Sequence, residues 1–338
     1  MSLAAAACLL WLALPRVVGT TATDLLAVYK ALSVGDLVAL TGLWMSGLLT
    51  HSFVLTGALP GLSRRRALTL NLTGSAVANV LPLGGAAGMS LNYAMIRRWR
   101  LGTVGFASYT LVTNAWNVLV KLALPAAALV LLVVGGTPVS HAVRWTAVVS
   151  SGLLLAVMVA ALACFASRRS AAALGGALGR LLVTGRRLLR RPTDAETVER
   201  VRTGTLECRD RVLQVVRRKW PQLSFGMVGY AVLQACLLWA CVVAVGGHLT
   251  LVQVLAGFAV DRVLSLVVLT PGAVGFTEAG TAAALTALGG APAVMAAGVL
   301  LYRGFTYALE IPVGGVWLGG WLLARRLRPG PTTTGVAA

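Results

Sequence analysis

The stretch Asn79-Val-Leu-Pro-Leu-Gly-Gly-Ala-Ala-Gly88 interrupts one apolar run, Leu70 to Tyr93, and Thr270-Pro-Gly-Ala-Val-Gly-Phe-Thr-Glu-Ala-Gly280 interrupts another, Leu251 to Leu288. Proline and glycine in such runs break the helix that an apolar stretch would otherwise form. Inside lipid an irregular backbone needs cover from protein or a water-filled cavity, because each unpaired N–H or C=O costs several kcal/mol. The two breaks occupy matching places in the two halves of the chain. That is the sequence pattern of a carrier's central site. The expected hairpin breaks are Pro82, Gly84 and Gly85 in the first half and Pro271, Gly272 and Gly275 in the second.

Composition sets the class. Of 338 residues, 58% are hydrophobic and 12% charged, and the mean hydropathy is +0.83. Soluble domains lie far from these values. The net charge of +19 is gathered between apolar runs, at Arg64-Arg65-Arg66, Arg97-Arg98-Trp99-Arg100, residues 168–219 and Arg325-Arg326-Leu327-Arg328. Cytoplasmic loops of membrane proteins carry such clusters, which excludes nucleic acid as the partner they serve. The five cysteines form no CxxC pair and no Cys/His metal spacing, so no metal and no cofactor is expected. The abundance of Ala, Gly, Leu, Val and Arg points to a GC-rich bacterial genome.

Run length and charge predict an all-α polytopic membrane protein. Full spans are expected at 3–20, 36–58, 104–134, 144–166, 223–246 and 292–323, with both termini in the cytoplasm of a bacterial inner membrane. The clusters at 64–66 and 97–100 then place the first broken segment, 67–95, as a hairpin entering and leaving on the inner face. The second, 252–289, enters and leaves on the outer face. The expected fold therefore has six full transmembrane helices and two re-entrant hairpins, eight hydrophobic segments in all. Each half reads span, hairpin, span (36–134 and 223–323), in opposite orientations, as an inverted repeat. Residues 1–326 form one membrane domain. Segment 167–222, with fourteen Arg or Lys against five Asp or Glu, is its one sizeable cytoplasmic loop. Apolar residues at helical spacing (Val198, Val201, Leu206, Leu213, Val216) predict that part of this loop lies on the membrane surface. Residues 327–338 read as a disordered tail.

A charge at membrane depth costs about 2.5–3.5 kcal/mol and so needs a partner or a water path. Asp261, Arg262, Glu278, Arg303, Glu310 and Lys121 stand at such depth. Arg303, Thr306, Tyr307 and Glu310 fall at i, i+3, i+4 and i+7 on one face, and Thr110, Asn114, Asn117 and Lys121 form a similar stripe in the first half. With Asn79 at the first break, these residues would line a midplane cavity. The N-termini of the half-helices would offer free N–H groups and positive potential to a phosphate. Arg262, Arg303 and Lys121 would attract the headgroup, with Glu278 as counter-charge or proton-coupling group. The alternative is structural: Arg262–Glu278 or Arg303–Glu310 ion pairs. Protease, hydrolase and nucleotide-binding motifs are absent, and no catalytic residue is assigned. His51, His141 and His248 read as interfacial residues. Tryptophans 11, 44, 99, 145, 220, 317 and 321 read as interface belts.

The segment Asp261-Arg-Val-Leu-Ser-Leu, followed by Thr270 to Glu278 and Leu300-Leu-Tyr-Arg303, resembles the C-terminal signature of the lysylphosphatidylglycerol synthase transmembrane region, a flippase-like family. Asn79-Val-Leu-Pro82-Leu-Gly84-Gly85 is similar to that family's first-half motif. The resemblance runs from about residue 30 to 325. Arg262, Pro271, Gly272, Gly275, Glu278 and Arg303 take the family's motif positions. Many members have a basic residue where this chain runs Ala86-Ala-Gly-Met-Ser-Leu91, and Ala273 stands where glycine is common. Fused members carry aminoacylated phosphatidylglycerol across the membrane, and stand-alone members are implied to move or help make other lipids. The aminoacyl-transferase domain of the fused members has no counterpart in this sequence, so the chain is not expected to make lysyl-lipid alone.

The sequence thus predicts translocation of an anionic phospholipid or lipid-linked headgroup between leaflets. Two other readings stay open at this stage, a lipid-modifying transferase and a non-catalytic membrane subunit for a separate lipid-synthesising enzyme. The sequence sets no oligomeric state.

Overall fold

A computed structural model describes residues 29, 32–81, 84–135, 141–188, 196–266 and 275–327. Every regular element among them is helical. The expected first span 3–20, the break residues Pro82, Pro271 and Gly272, and the tail from 328 lie outside the described residues.

The chain runs α1 (Val34–Ala58), α2 (Arg64–Val80), α3 (Gly84–Arg98), α4 (Thr103–Val134), α5 (His141–Ala166), α6 (Arg168–Leu188), α7 (Thr197–Ala244), α8 (Leu251–Leu264), α9 (Phe276–Ala287), α10 (Pro292–Arg303), a π turn (Gly304–Ala308) and α11 (Glu310–Leu327). Among the described residues, four segments are long and apolar enough to cross a bilayer: Val34–Ala58, Thr103–Val134, Thr197–Ala244 and Pro292–Ala324. The first, second and fourth match expected spans closely, and α5 covers the expected span at 144–166. The expected span 223–246 is the C-terminal part of the 48-residue α7.

Helix starts follow local chemistry. Ser33 Oγ accepts from the Asp36 N–H (3.1 Å), while Asp36 Oδ2 accepts from the Ser33 N–H (3.0 Å). Thr250 and Gln253 close the same reciprocal box at α8. Each such cap satisfies N–H groups that the first turn leaves without partners. Proline at the first position starts α10, where its missing N–H costs nothing.

Helix α7 is the hub. It packs on α1, α4, α8 and α10, and its N-terminal part packs on α6. The expected surface segment is therefore a helical hairpin, and Val198 meets Gly179 of α6 within it. The broken segments become two packed pairs, α2 with α3 and α8 with α9. Two apolar clusters flank a polar layer. One includes Leu40, Trp44, Leu48, Leu238, Phe258 and Tyr302. The other includes Val54, Leu55, Leu70, Met95, Leu223 and Met227. Between them His51 of α1 and Tyr230 and Gln234 of α7 face one another. Tryptophan 44 belongs to the buried core, not to an interface belt.

Close approach makes α2 and α3 a unit. A Cβ at Gly84 would overlap the Ala78 carbonyl, and one at Gly88 would stand 2.7 Å from the Gly74 carbonyl oxygen. At Gly85 nothing lies within 4 Å. Gly88→Ala should therefore cost about 1–3 kcal/mol by overpacking, while Gly85→Ala should be neutral or gain up to about 1 kcal/mol. Thermal unfolding of the two variants in detergent measures the contrast, and equal midpoints would contradict the close approach.

Candidate functional site

The second break ends at Gly275, whose φ of +88° is one that glycine adopts without steric cost. Helix α9 starts there, and its N-terminus is occupied from within. Glu278 Oε2 accepts from the Gly275 N–H (2.7 Å) and from Thr277 Oγ1 (3.1 Å). The other carboxylate oxygen accepts from Arg303 Nε of α10 at 2.5 Å. Arg303 Nη2 also donates to Thr277 Oγ1 (2.7 Å). The side chain of Glu278 is 1% exposed and that of Arg303 14%. The seat expected for a phosphate at this half-helix is thus filled by the protein's own carboxylate.

Arg262 pairs with its neighbour Asp261 rather than with Glu278. Its Nε donates to Asp261 Oδ2 at 2.8 Å and its Nη2 to Tyr302 Oη at 3.1 Å. The guanidinium lies 4.8 Å from the centroid of Phe258, a cation–π seat. The Tyr302 hydroxyl donates on to Gln234 Oε1 (3.5 Å), and Gln234 Nε2 donates to Tyr230 Oη (2.9 Å). Tyr230 stacks on His51 with ring centroids 4.7 Å apart, and His51 Nδ1 lies 3.1 Å from Asn71 Oδ1. His51 is therefore part of the polar layer. A hydrogen-bonded and stacked row runs from α2 through α1, α7 and α10 to α8.

Lys121 differs from the arginines. Its ammonium donates to Ser265 Oγ (2.9 Å), and among the described residues no carboxylate pairs with it. Asn117, Lys121, Tyr230, Gln234, Phe258 and Arg262 are among the residues lining a cavity of about 20 Å³ between α4, α7 and α8. That is room for a single water. Asn114 is not brought in: it is exposed and donates to Thr110 O of its own helix (2.8 Å).

The π turn breaks the stripe expected after Arg303. One extra residue in the turn shifts everything beyond it off the α-helical face. Arg303 turns to α9, while Tyr307 Oη donates to the Asn79 carbonyl (2.7 Å) and Asn79 Nδ2 to the Tyr307 carbonyl (3.4 Å). Asn79 is thereby a link between the two halves. Glu310 turns toward Ser75 of α2 and Trp44 of α1. The buried Trp44 indole N–H falls short of hydrogen-bond geometry, and among the described residues Glu310 has no ion-pair partner. Neither ion pair anticipated from the sequence forms.

Sequence reading overlooked Tyr230, Gln234 and Tyr302, three polar side chains in apolar runs. The available signal was the four-residue spacing of Tyr230 and Gln234, which puts both on one face. Among the described residues no group of His, Cys, Asp or Glu could hold a metal ion.

Residues 1–314 match the family described as the lysylphosphatidylglycerol synthase TM region. The chain belongs to this family. No curated protein and no solved structure matches it. Membership, with four membrane-length helices, makes this a multi-pass membrane protein related to lipid handling. In this member of the lysylphosphatidylglycerol synthase TM region, Glu278 and Arg303 join the second break to the helix after it. Glu278→Ala should destabilise the fold by about 3–5 kcal/mol, because the buried Arg303 loses the carboxylate that accepts from its Nε. Adding Arg303→Met should recover part of that loss, since the pair is then removed together. Unfolding midpoints of the two single variants and the double variant test the coupling, and additive losses would sink it.

Proposed function

We propose that this protein moves a lipid with an anionic headgroup between membrane leaflets. The observation that carries the reading is Lys121, a cation at membrane depth with no carboxylate partner among the described residues, lining a cavity with Arg262, Asn117, Tyr230 and Gln234. A buried cation that no carboxylate among the described residues pairs with calls for an anion from outside. With room for only one water, the cavity reads as the closed state of an alternating path. The ion pairs Arg303–Glu278 and Arg262–Asp261 then hold the walls, and Glu310 takes the counter-charge role expected of Glu278.

The same reading takes α1, α2–α3 and α4 as one repeat and α7, α8–α9 and α10–α11 as the other, inverted across a bacterial inner membrane with both termini inside. The packed pairs α2–α3 and α8–α9 support them as re-entrant hairpins, and Asn79–Tyr307 is a contact between the repeats. A phospholipid is the partner in this scheme. The basic hairpin α6–α7 would face the cytoplasm.

Reconstitution in liposomes with fluorescent phosphatidylglycerol tests the proposal through the dithionite-accessible signal over time. Wild type should accelerate exchange, and Lys121→Met should slow it about tenfold or more, the loss expected for one charged contact. Asn114→Ala should leave it unchanged. No exchange above protein-free liposomes, across anionic and zwitterionic lipids and with an imposed proton gradient, would overturn the reading.

A further inference from the structure

Helix α6 is held close against α7 by two glycines. A Cβ at Gly175 would stand 2.8 Å from the Arg202 Cα, and one at Gly179 would stand 2.8 Å from the Val198 Cα. Arg209 Nε donates to the Ala166 carbonyl (2.9 Å), tying the end of α5 to α7 as well. With the small residues turned inward, the leucines of α6 are left outside. Leu174 is 47% exposed, Leu178 44%, Leu181 69% and Leu182 47%. Leu174, Leu178 and Leu182 succeed one another at four-residue spacing, Leu181 lies beside them, and the exposed Arg186 continues the row.

Nothing within the described chain covers this face, and two observations say what does. Only Ser167 separates α6 from α5, whose exposed Trp145, Leu153 and Val159 suit contact with acyl chains. The leucine row therefore begins where the chain leaves the bilayer. The charge around it is the second observation. Segment 167–222 carries fourteen basic and five acidic side chains. The described ion pairs there use Arg200, Arg202 and Arg209, and among the described residues Arg168, Arg169, Arg180 and Arg186 have no acidic partner. A row of leucines bordered by unpaired arginines fits the interface of an anionic leaflet, where apolar side chains enter the acyl boundary and cations meet phosphates.

We propose that the leucine face of α6 docks on an anionic membrane surface and holds the α6–α7 hairpin down beside the transmembrane bundle. This docking does not depend on whether the protein moves lipid. The spacing of apolar residues from Val198 to Val216 predicts the surface helix there. In the structure that stretch belongs to α7, and α6 carries the face.

The full-length protein, with its cysteines replaced, is placed one copy per nanodisc and spin-labelled at position 178, 181 or 176. Gly176 lies about 140–160° round α6 from Leu178 and Leu181, where a side chain would meet nothing within 4 Å. In discs containing phosphatidylglycerol, labels at 178 and 181 should collide with oxygen and be shielded from a water-soluble nickel reagent, while the label at 176 stays open to nickel. Pure phosphatidylcholine discs should lose this shielding, and Arg186→Gln should lower the docked-to-free ratio about fivefold. Three outcomes would overturn the proposal. Labels at 178 and 181 open to nickel in both lipids would mean that the face stays in water. Shielding independent of phosphatidylglycerol would remove the electrostatic argument. Shielding only when a disc holds two copies would assign the face to a second chain.

Discussion

Lipid offers a broken helix no water to bond to, and that shortage organises this protein. At the second break the chain needs a partner for the N–H at the head of α9 and a counter-charge for an arginine held between helices. Glu278 supplies both through its two carboxylate oxygens. The consequence is mechanical as well as electrostatic, because the cap of one helix is also the bond to the next. A break that would otherwise weaken the segment becomes its anchorage.

The polar layer divides its charges into two kinds. Asp261, Arg262, Glu278 and Arg303 neutralise one another and reach further into hydroxyl and amide groups. Lys121 and Glu310 have no such partner among the described residues. The first kind fixes geometry; the second is what a charged visitor would feel. Two apolar clusters, one on either side, confine this layer, in which His51, Tyr230, Gln234 and Tyr302 connect α2 to α8 through α1, α7 and α10.

Much of the scaffold was legible in the sequence. The spans at 36–58 and 104–134 could be read because run length and flanking charge are local signals. The two breaks were legible for the same reason, since proline and glycine act on their own backbone. Pairing was not. The sequence offered Arg262–Glu278 and Arg303–Glu310 as pairs, and only packing decided that Asp261 and Glu278 took the two arginines. The hairpin of α6 and α7 also escaped, because Gly175 and Gly179 look like flexible residues until a second helix lies against them. Asn114 fell on the expected stripe yet stays outside, since an amide can satisfy itself on its own helix.

The π turn at Gly304–Ala308 sets the phase of everything after it. Were it a plain α-helix one residue shorter, α11 would be rotated by about 100° and drawn back by about 1.5 Å. Gly314, which now lies against the Leu72 carbonyl of α2, would point elsewhere. Trp317, whose indole donates to Thr69 Oγ1 at 3.0 Å, would leave its partner. A single residue of chain length, stored in one loose turn, therefore keeps the last helix in register with the first broken pair.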